Sequence, residues 1–132
     1  MTRAEFDRYL RKFNAADYDG FLEYYADDFE MLHVGGHLRG REEVLSFYAF
    51  LHAHVRETVL VDHFVSDEHM IALEARVRLE CRKELTAEAI AASAYPRLEP
   101  LAFGQVVELP PQFIHYHLRD GKFMKVECRE CP

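Results

Sequence analysis

The chain has 132 residues, 49% hydrophobic and 30% charged, enough to bury one real core and ordinary for a soluble globular domain. Sixteen basic against 23 acidic residues leave a net charge of −7, which argues against nucleic acid or an anionic membrane as partner, because both need basic patches. No apolar run reaches membrane-spanning length, the start MTRAEFDRYLRKF lacks a signal-peptide apolar region, and three cysteines without an export signal point to a reducing, cytoplasmic setting.

Thr2 followed by Glu5 is a capping-box signal. Phe6, Tyr9, Leu10 and Phe13 then share one helical face, which predicts a first helix running to about Asn14. Asp17 fits an N-cap for a second helix ending near Asp27, with Phe21, Leu22 and Tyr25 as its apolar face. Asp27 and Asp28 read as a helix-end turn. Phe29, Met31 and His33 alternate with Glu30 and Leu32, which predicts a strand. Gly35-Gly36 allows a reversal, and Gly40 precedes a third helix carrying Val44, Phe47, Tyr48, Leu51 and Val55 on one face. The stretch from Tyr25 to Tyr48 is the part around which the chain is organised.

From Thr58 to Val65 the chain is β-branched and aromatic. After a turn at 66–69, Ile71 to Cys81 alternates apolar and polar residues along a long strand with one apolar face. The charged row Glu74, Arg76, Arg78 and Glu80 then lies on an outer sheet face, in solvent or in a dimer contact. Leu85 to Ala94 predicts a short helix, Tyr95 to Pro100 a loop, and Gln105 to Leu109 a strand. Phe113 to Leu118 and Phe123 to Glu130 flank Arg119-Asp120-Gly121, a hairpin signal. A two-residue loop pairs Arg119 with Lys122 and places His115 and His117 with Met124, Val126 and Cys128. A three-residue loop with Gly121 in a bulge places Ile114, Tyr116 and Leu118 there instead. The second gives the consistent apolar face and is preferred; it puts His115 and His117 on the opposite face with Phe113 and Phe123. Three helices followed by a mostly antiparallel sheet define an α+β domain with helices packed on a curved sheet.

RYLRKFNAADYDGFLEYYADD, GREEVLSFY and LRDGKF together resemble the nuclear-transport-factor-2-like cone superfamily, in its ketosteroid isomerase and SnoaL-like polyketide cyclase branch. The resemblance is continuous from about Arg8 to Tyr48. It implies one domain over 1–132, an internal apolar cavity and a homodimer, the last helped by Phe113 and Phe123 on the outer face. In the isomerase pattern a strand-end carboxylate moves a proton and a first-helix tyrosine hydrogen-bonds the oxyanion, supported by two more tyrosines; a protonated acid on a late strand is the second donor. By position Tyr9 falls on the oxyanion tyrosine, Tyr25 and Tyr48 on its supports, His33 on the base, and Ile114 near the late acid. Phe13, Met31, Leu51, Ile114 and Tyr116 join Tyr25 and Tyr48 as the expected ligand-binding set. An ordinary imidazole pKa of about 6.5 would suit a base at His33. The missing acid argues against an efficient steroid isomerase, since one oxyanion donor is worth about 10²–10³ in rate.

The expected activity is therefore an acid–base isomerisation, dehydration or cyclisation near a carbonyl of an apolar small molecule, without a cofactor. The alternatives are a non-catalytic binder of a hydrophobic molecule and an association module with a filled cavity. The plainer readings are core tyrosines with satisfied hydroxyls and a structural His33. Cys128-x-x-Cys131 lacks the second pair of a zinc knuckle, and no partner is assignable to His115-x-His117, so no metal is expected. Residues 84 to 104 have no counterpart in compact isomerases and read either as a lid over the cavity or as an arm on a partner subunit.

Overall fold

The computed structural model describes residues 1–33 and 36–132; the expected reversal at Gly35-Gly36 thus lies partly outside the described residues. Helix α1 (Arg3–Asn14) starts on the capping box: the Thr2 side chain accepts from the Glu5 amide at 3.2 Å, and the Thr2 amide donates to the Glu5 carboxylate at 2.6 Å. Asp17 caps α2 (Tyr18–Leu22) by accepting from the Gly20 amide. Helix α3 spans Gly40–His52 and α4 Ala87–Ala91.

The strands are β1 (Tyr25–His33), β2 (Gly36–Arg39), β3 (Val55–Ser66), β4 (Met70–Cys81), β5 (Val106–Glu108), β6 (Gln112–Arg119) and β7 (Lys122–Glu130). They form one sheet in the order β2-β1-β7-β6-β4-β3, with β5 on the far end of β4. β1 runs parallel to β7 and the other pairs are antiparallel. The layout is the expected α+β arrangement.

The largest departures from expectation lie at the end of α2 and the start of β1, where tertiary contacts override a local pattern. The second helix stops at Leu22 instead of running to Asp27. Tyr25 pairs with Phe123 of β7, the Phe123 amide donates to the Tyr24 carbonyl, and the Arg41 guanidinium donates twice to the Tyr25 carbonyl. Asp27 and Asp28 are accordingly strand residues, paired with Arg41 and Arg119. Val55 opens β3 and does not continue α3.

The hairpin has the two-residue loop, with Arg119 opposite Lys122 and positive φ at Asp120 (53°) and Gly121 (75°), the left-handed pair of a tight primed turn. The bulge sits instead in β7 at Met124: Leu118 faces Phe123, His117 faces Lys125, and from there Tyr116 meets Val126 and Ile114 meets Cys128. An extra residue on one strand flips the side-chain parity. Ile114, Tyr116 and Leu118 thus do share the inner face, but Phe123 is fully buried with them and does not join Phe113 outside. His115 is exposed, and His117 pairs with Glu127 at 2.9 Å, an acidic partner that the sequence did not reveal.

The core is an aromatic layer between α1, α2 and the inner sheet face. Phe6, Phe21, Tyr25, Phe29 and Phe123 are at most 1% exposed. Tyr9 meets Phe123 edge-on at 4.8 Å, and Tyr25 stacks on Phe29 at 4.4 Å. Such pairs add about 0.5–1.5 kcal/mol each beyond their buried area. This layer closes one end of the molecule and leaves the concave space towards α3 and residues 84–104 less filled.

Candidate active site

Between α1, α3 and the concave sheet face lies a cavity of about 600 Å³, within the usual range for small-molecule sites. Helix α1 contributes Tyr9 and Phe13, α3 contributes Tyr48 and Leu51, and the sheet contributes Met31, His33, Ile114 and Tyr116. The 3.6-residue period of each helix and the two-residue period of each strand aim these side chains into one space. Of the expected site residues only Tyr25 is absent from the wall; it lies behind Tyr9 and is completely buried.

The tyrosine network is narrower than the family pattern implies. The Tyr9 and Tyr25 hydroxyls hydrogen-bond at 2.7 Å. Tyr48 donates instead to the Met31 sulfur at 3.5 Å and does not support the other two. Burial first, then neighbouring tyrosine hydroxyls and, for Tyr48 and Tyr116, the Glu57 charge, hold the Tyr9, Tyr48 and Tyr116 phenols well above their ordinary range. They are neutral hydroxyls at neutral pH. When Tyr25 donates to Tyr9, the Tyr9 proton is directed away from Tyr25 and is available to a ligand oxygen.

His33 packs its ring against Phe47 at 4.8 Å between centroids. Burial first, and the positive charge of Arg97 second, together lower its imidazole to about 4. The ordinary value that would suit a neutral-pH base is therefore not met: His33 is an uncharged imidazole and a weak base. Ile114 is buried at 4% exposure and offers no donor.

Several polar wall residues escaped the sequence pattern. Arg97 and Glu99 reach the cavity from the 84–104 segment, and Glu57 from the start of β3. The Glu57 carboxylate accepts from, or shares a proton with, His52 Nε2 at 3.0 Å, and both side chains are less than one-tenth exposed. Cys128 also faces the cavity, and burial pushes its thiol up to about 12. In the sequence, the lid reading of residues 84 to 104 hinted at Arg97 and Glu99 and the β7 apolar set at Cys128, while nothing marked Glu57. The segment itself is tied down: Leu85 and Leu101 pair as a short bridge, the Tyr95 hydroxyl donates to Ser46 at 2.8 Å, and the Tyr95 ring meets Phe47 edge-on.

Among the described residues no group of three or more His, Cys, Asp or Glu gathers to hold a metal ion, and no helix is long and apolar enough to cross a membrane. Cys81, Cys128 and Cys131 are free thiols.

The fold and this cavity define a cone-shaped α+β protein with an interior site. The SnoaL-like domain profile matches residues 6–126, and the chain belongs to the SnoaL-like family. It is similar in fold to a proposed polyketide cyclase from Pseudomonas putida KT2440, at 22% identity and a TM-score of 0.70, covering 95% of this chain and 87% of that one. It is similar too to a nuclear-transport-factor-2-like protein of unknown function from Burkholderia pseudomallei K96243, at 16% identity and 0.69, covering 95% and 86%. The third likeness is to TerC crystallised with polyporic acid, at 14% identity and 0.67, covering 94% and 86%. A comparison with curated protein sequences gave no match.

Proposed function

We propose that this chain binds an apolar small molecule in the 600 Å³ cavity and moves a proton near a carbonyl of that molecule, as an isomerase, dehydratase or cyclase. The observation that carries this reading is the convergence of Tyr9 and His33 on one mostly apolar cavity. Tyr9 donates to the ligand oxygen, backed by Tyr25; His33 acts as an uncharged acceptor of a proton or hydrogen bond; Phe13, Met31, Leu51, Ile114 and Tyr116 cover the apolar part. The co-crystallisation of TerC with polyporic acid supports a small molecule as the ligand.

A second reading, binding without turnover, is favoured by one observation: an imidazole lowered to about 4 is a poor base at neutral pH, although it still accepts a hydrogen bond. One experiment addresses both readings. The His33 and Tyr9 ring signals are followed by NMR as 2-naphthol is added, and products are assayed on candidate cyclic ketones for the parent and His33→Ala chains. Shifts at both rings with turnover lost in His33→Ala support the enzyme. Shifts with 2-naphthol binding intact in His33→Ala and no turnover in either chain support the binder. No shift at either ring removes both readings.

The outer sheet face, where Phe113 is 38% exposed, serves in this proposal as a homodimer contact, and Phe113→Asp should convert the dimer to monomer in light scattering. The three free thiols support a reducing, cytoplasmic setting.

A further inference from the structure

Glu57 puts a carboxylate on the same cavity wall as His33, the position where the family pattern has its base. Glu57 is the third residue of β3, opposite Leu79 of β4, and lines the main cavity. It also lines a second, smaller hollow of about 340 Å³ bordered by Asn14, His52, Arg56 and Arg82. Among the described residues Glu57 is the one wall residue that the two spaces share. One carboxylate oxygen, Oε2, is held by His52 Nε2 at 3.0 Å. The other, Oε1, has no hydrogen-bond partner among the described residues, and no described buried side-chain oxygen is both enclosed and unpaired. Oε1 is therefore open to one of the spaces that Glu57 lines.

The imidazole that holds Glu57 is itself held. His52 Nδ1 lies 3.2 Å from the Tyr18 hydroxyl, which also reaches the Tyr48 carbonyl at 3.3 Å. The His52 ring stacks on Tyr18 and meets Phe13 edge-on. Two proton arrangements satisfy the chain of contacts. Tyr18 donates to Nδ1 and Nε2–H donates to the carboxylate, or Tyr18 donates to the Tyr48 carbonyl, accepts from Nδ1–H, and Nε2 and Oε2 share a proton. In both, His52 fixes the carboxylate plane and leaves Oε1 free. A side-chain pair less than one-tenth exposed is costly to bury for stability alone, whereas a desolvated, oriented carboxylate beside a ligand cavity is what proton abstraction uses.

Resting on the cavity reading above, we propose that Glu57 is the acid–base carboxylate of the cavity, that His52 with Tyr18 is its positioning pair, and that the ligand is an apolar molecule with an acidic hydrogen, a phenolic O–H or a C–H beside a carbonyl. In the isomerising step Glu57 takes the C–H proton, the electron pair moves to the carbonyl oxygen to give an enolate bonded by Tyr9, and Glu57 returns the proton to a different carbon. Glu57 ends as the carboxylate and nothing is oxidised or reduced.

The test compares 2-naphthol with naphthalene, which differ by one hydroxyl, in binding to the full chain. The parent should prefer 2-naphthol. Glu57→Gln should narrow that preference about tenfold while leaving naphthalene affinity unchanged, because a charge-assisted bond becomes a neutral one. Glu57→Asp keeps the negative charge and withdraws the carboxylate from the ligand, so it should narrow the preference even if Glu57→Gln fails to fold. His52→Gln should narrow it by a smaller factor, again at constant naphthalene affinity, a difference that a purely structural pair would not produce. An unchanged preference in the folded Glu57 variants overturns the proposal and leaves the cavity reading standing. Failure of both probes to bind the parent overturns the cavity reading and the proposal together.

Discussion

The Tyr9 and Tyr25 hydroxyls lie 2.7 Å apart inside the aromatic layer, yet only Tyr9 borders the cavity. The two ends of this bond therefore have unequal alternatives. Tyr9→Phe strands the Tyr25 hydroxyl in a water-free surrounding, at a cost of about 1–3 kcal/mol. Tyr25→Phe leaves the Tyr9 hydroxyl able to turn to the cavity, at a cost of about 0.5–1.5 kcal/mol. Urea unfolding of both single variants and of the double should show the larger loss for Tyr9→Phe and a double-variant loss below the sum. Equal single losses that simply add would mean the bond contributes nothing of its own.

His33 gives the fold a pH dependence whose sign is fixed by its environment. Its folded value is about 4 against an ordinary 6.5. Above pH 6.5 both folded and unfolded chains carry a neutral imidazole. Between 6.5 and 4 the unfolded chain takes up the proton first, so stability falls as pH falls, by about 2 kcal/mol at pH 5; below 4 the loss levels off. Other groups titrate in this window, so the informative quantity is the difference between the parent and His33→Phe. That difference should shrink the acid-side loss by the stated amount. Parallel stability curves for the two chains would place the imidazole in water-like surroundings.

What the sequence made legible is what local physics decides. The capping box at Thr2, the Asp17 cap and the long alternation of β4 depend on residues within a few positions, or on one face being buried against the core. The end of α2 depends on Phe123, almost a hundred residues on, and on Arg41, so Tyr25 read as helix and is strand. At the β6–β7 hairpin the inner face could be inferred because a consistent apolar set is required, but the place of the bulge could not, since a shift at Gly121 and one at Met124 restore the same parity. Likewise eight of the nine expected site residues line one cavity because the helical and strand periods aim them there. The His52–Glu57 contact joins a helix end to a strand start across a turn, a spacing with no regular period, and nothing in the chain marks it.

Cys128 faces the cavity, and burial pushes its thiol up to about 12 from an ordinary 9. At pH 8 that leaves roughly a thousandfold less thiolate than at an ordinary site, and the thiolate is the reactive form. Cys81 is 1% exposed and is shielded sterically. Iodoacetamide labelling of the native chain, mapped by peptide mass spectrometry, should therefore modify Cys131 first, with Cys81 and Cys128 following only at the rate of unfolding. Prompt alkylation of Cys128 would mean that water and reagent enter the cavity freely.

The 84–104 segment can be removed with little strain on its ends. The Cys81 amide donates to the Gln105 carbonyl at 2.8 Å and the Gly104 amide to the Cys81 carbonyl at 2.9 Å, so residues 83 and 105 are close enough for a short glycine-serine link. Its fixed anchor is Tyr95, bonded to Ser46 and packed on Phe47 and Phe50, while Leu98, Pro100 and Leu101 complete the cavity wall. If the segment is a lid, deleting it should weaken naphthalene binding by about tenfold, the worth of roughly one aliphatic side chain of cover, with the oligomeric state unchanged in light scattering. Ser46→Ala, which frees only the Tyr95 hydroxyl, should weaken binding by less and leave the fold intact. Loss of the oligomer at constant naphthalene affinity would make the segment an arm that packs on a neighbouring subunit instead.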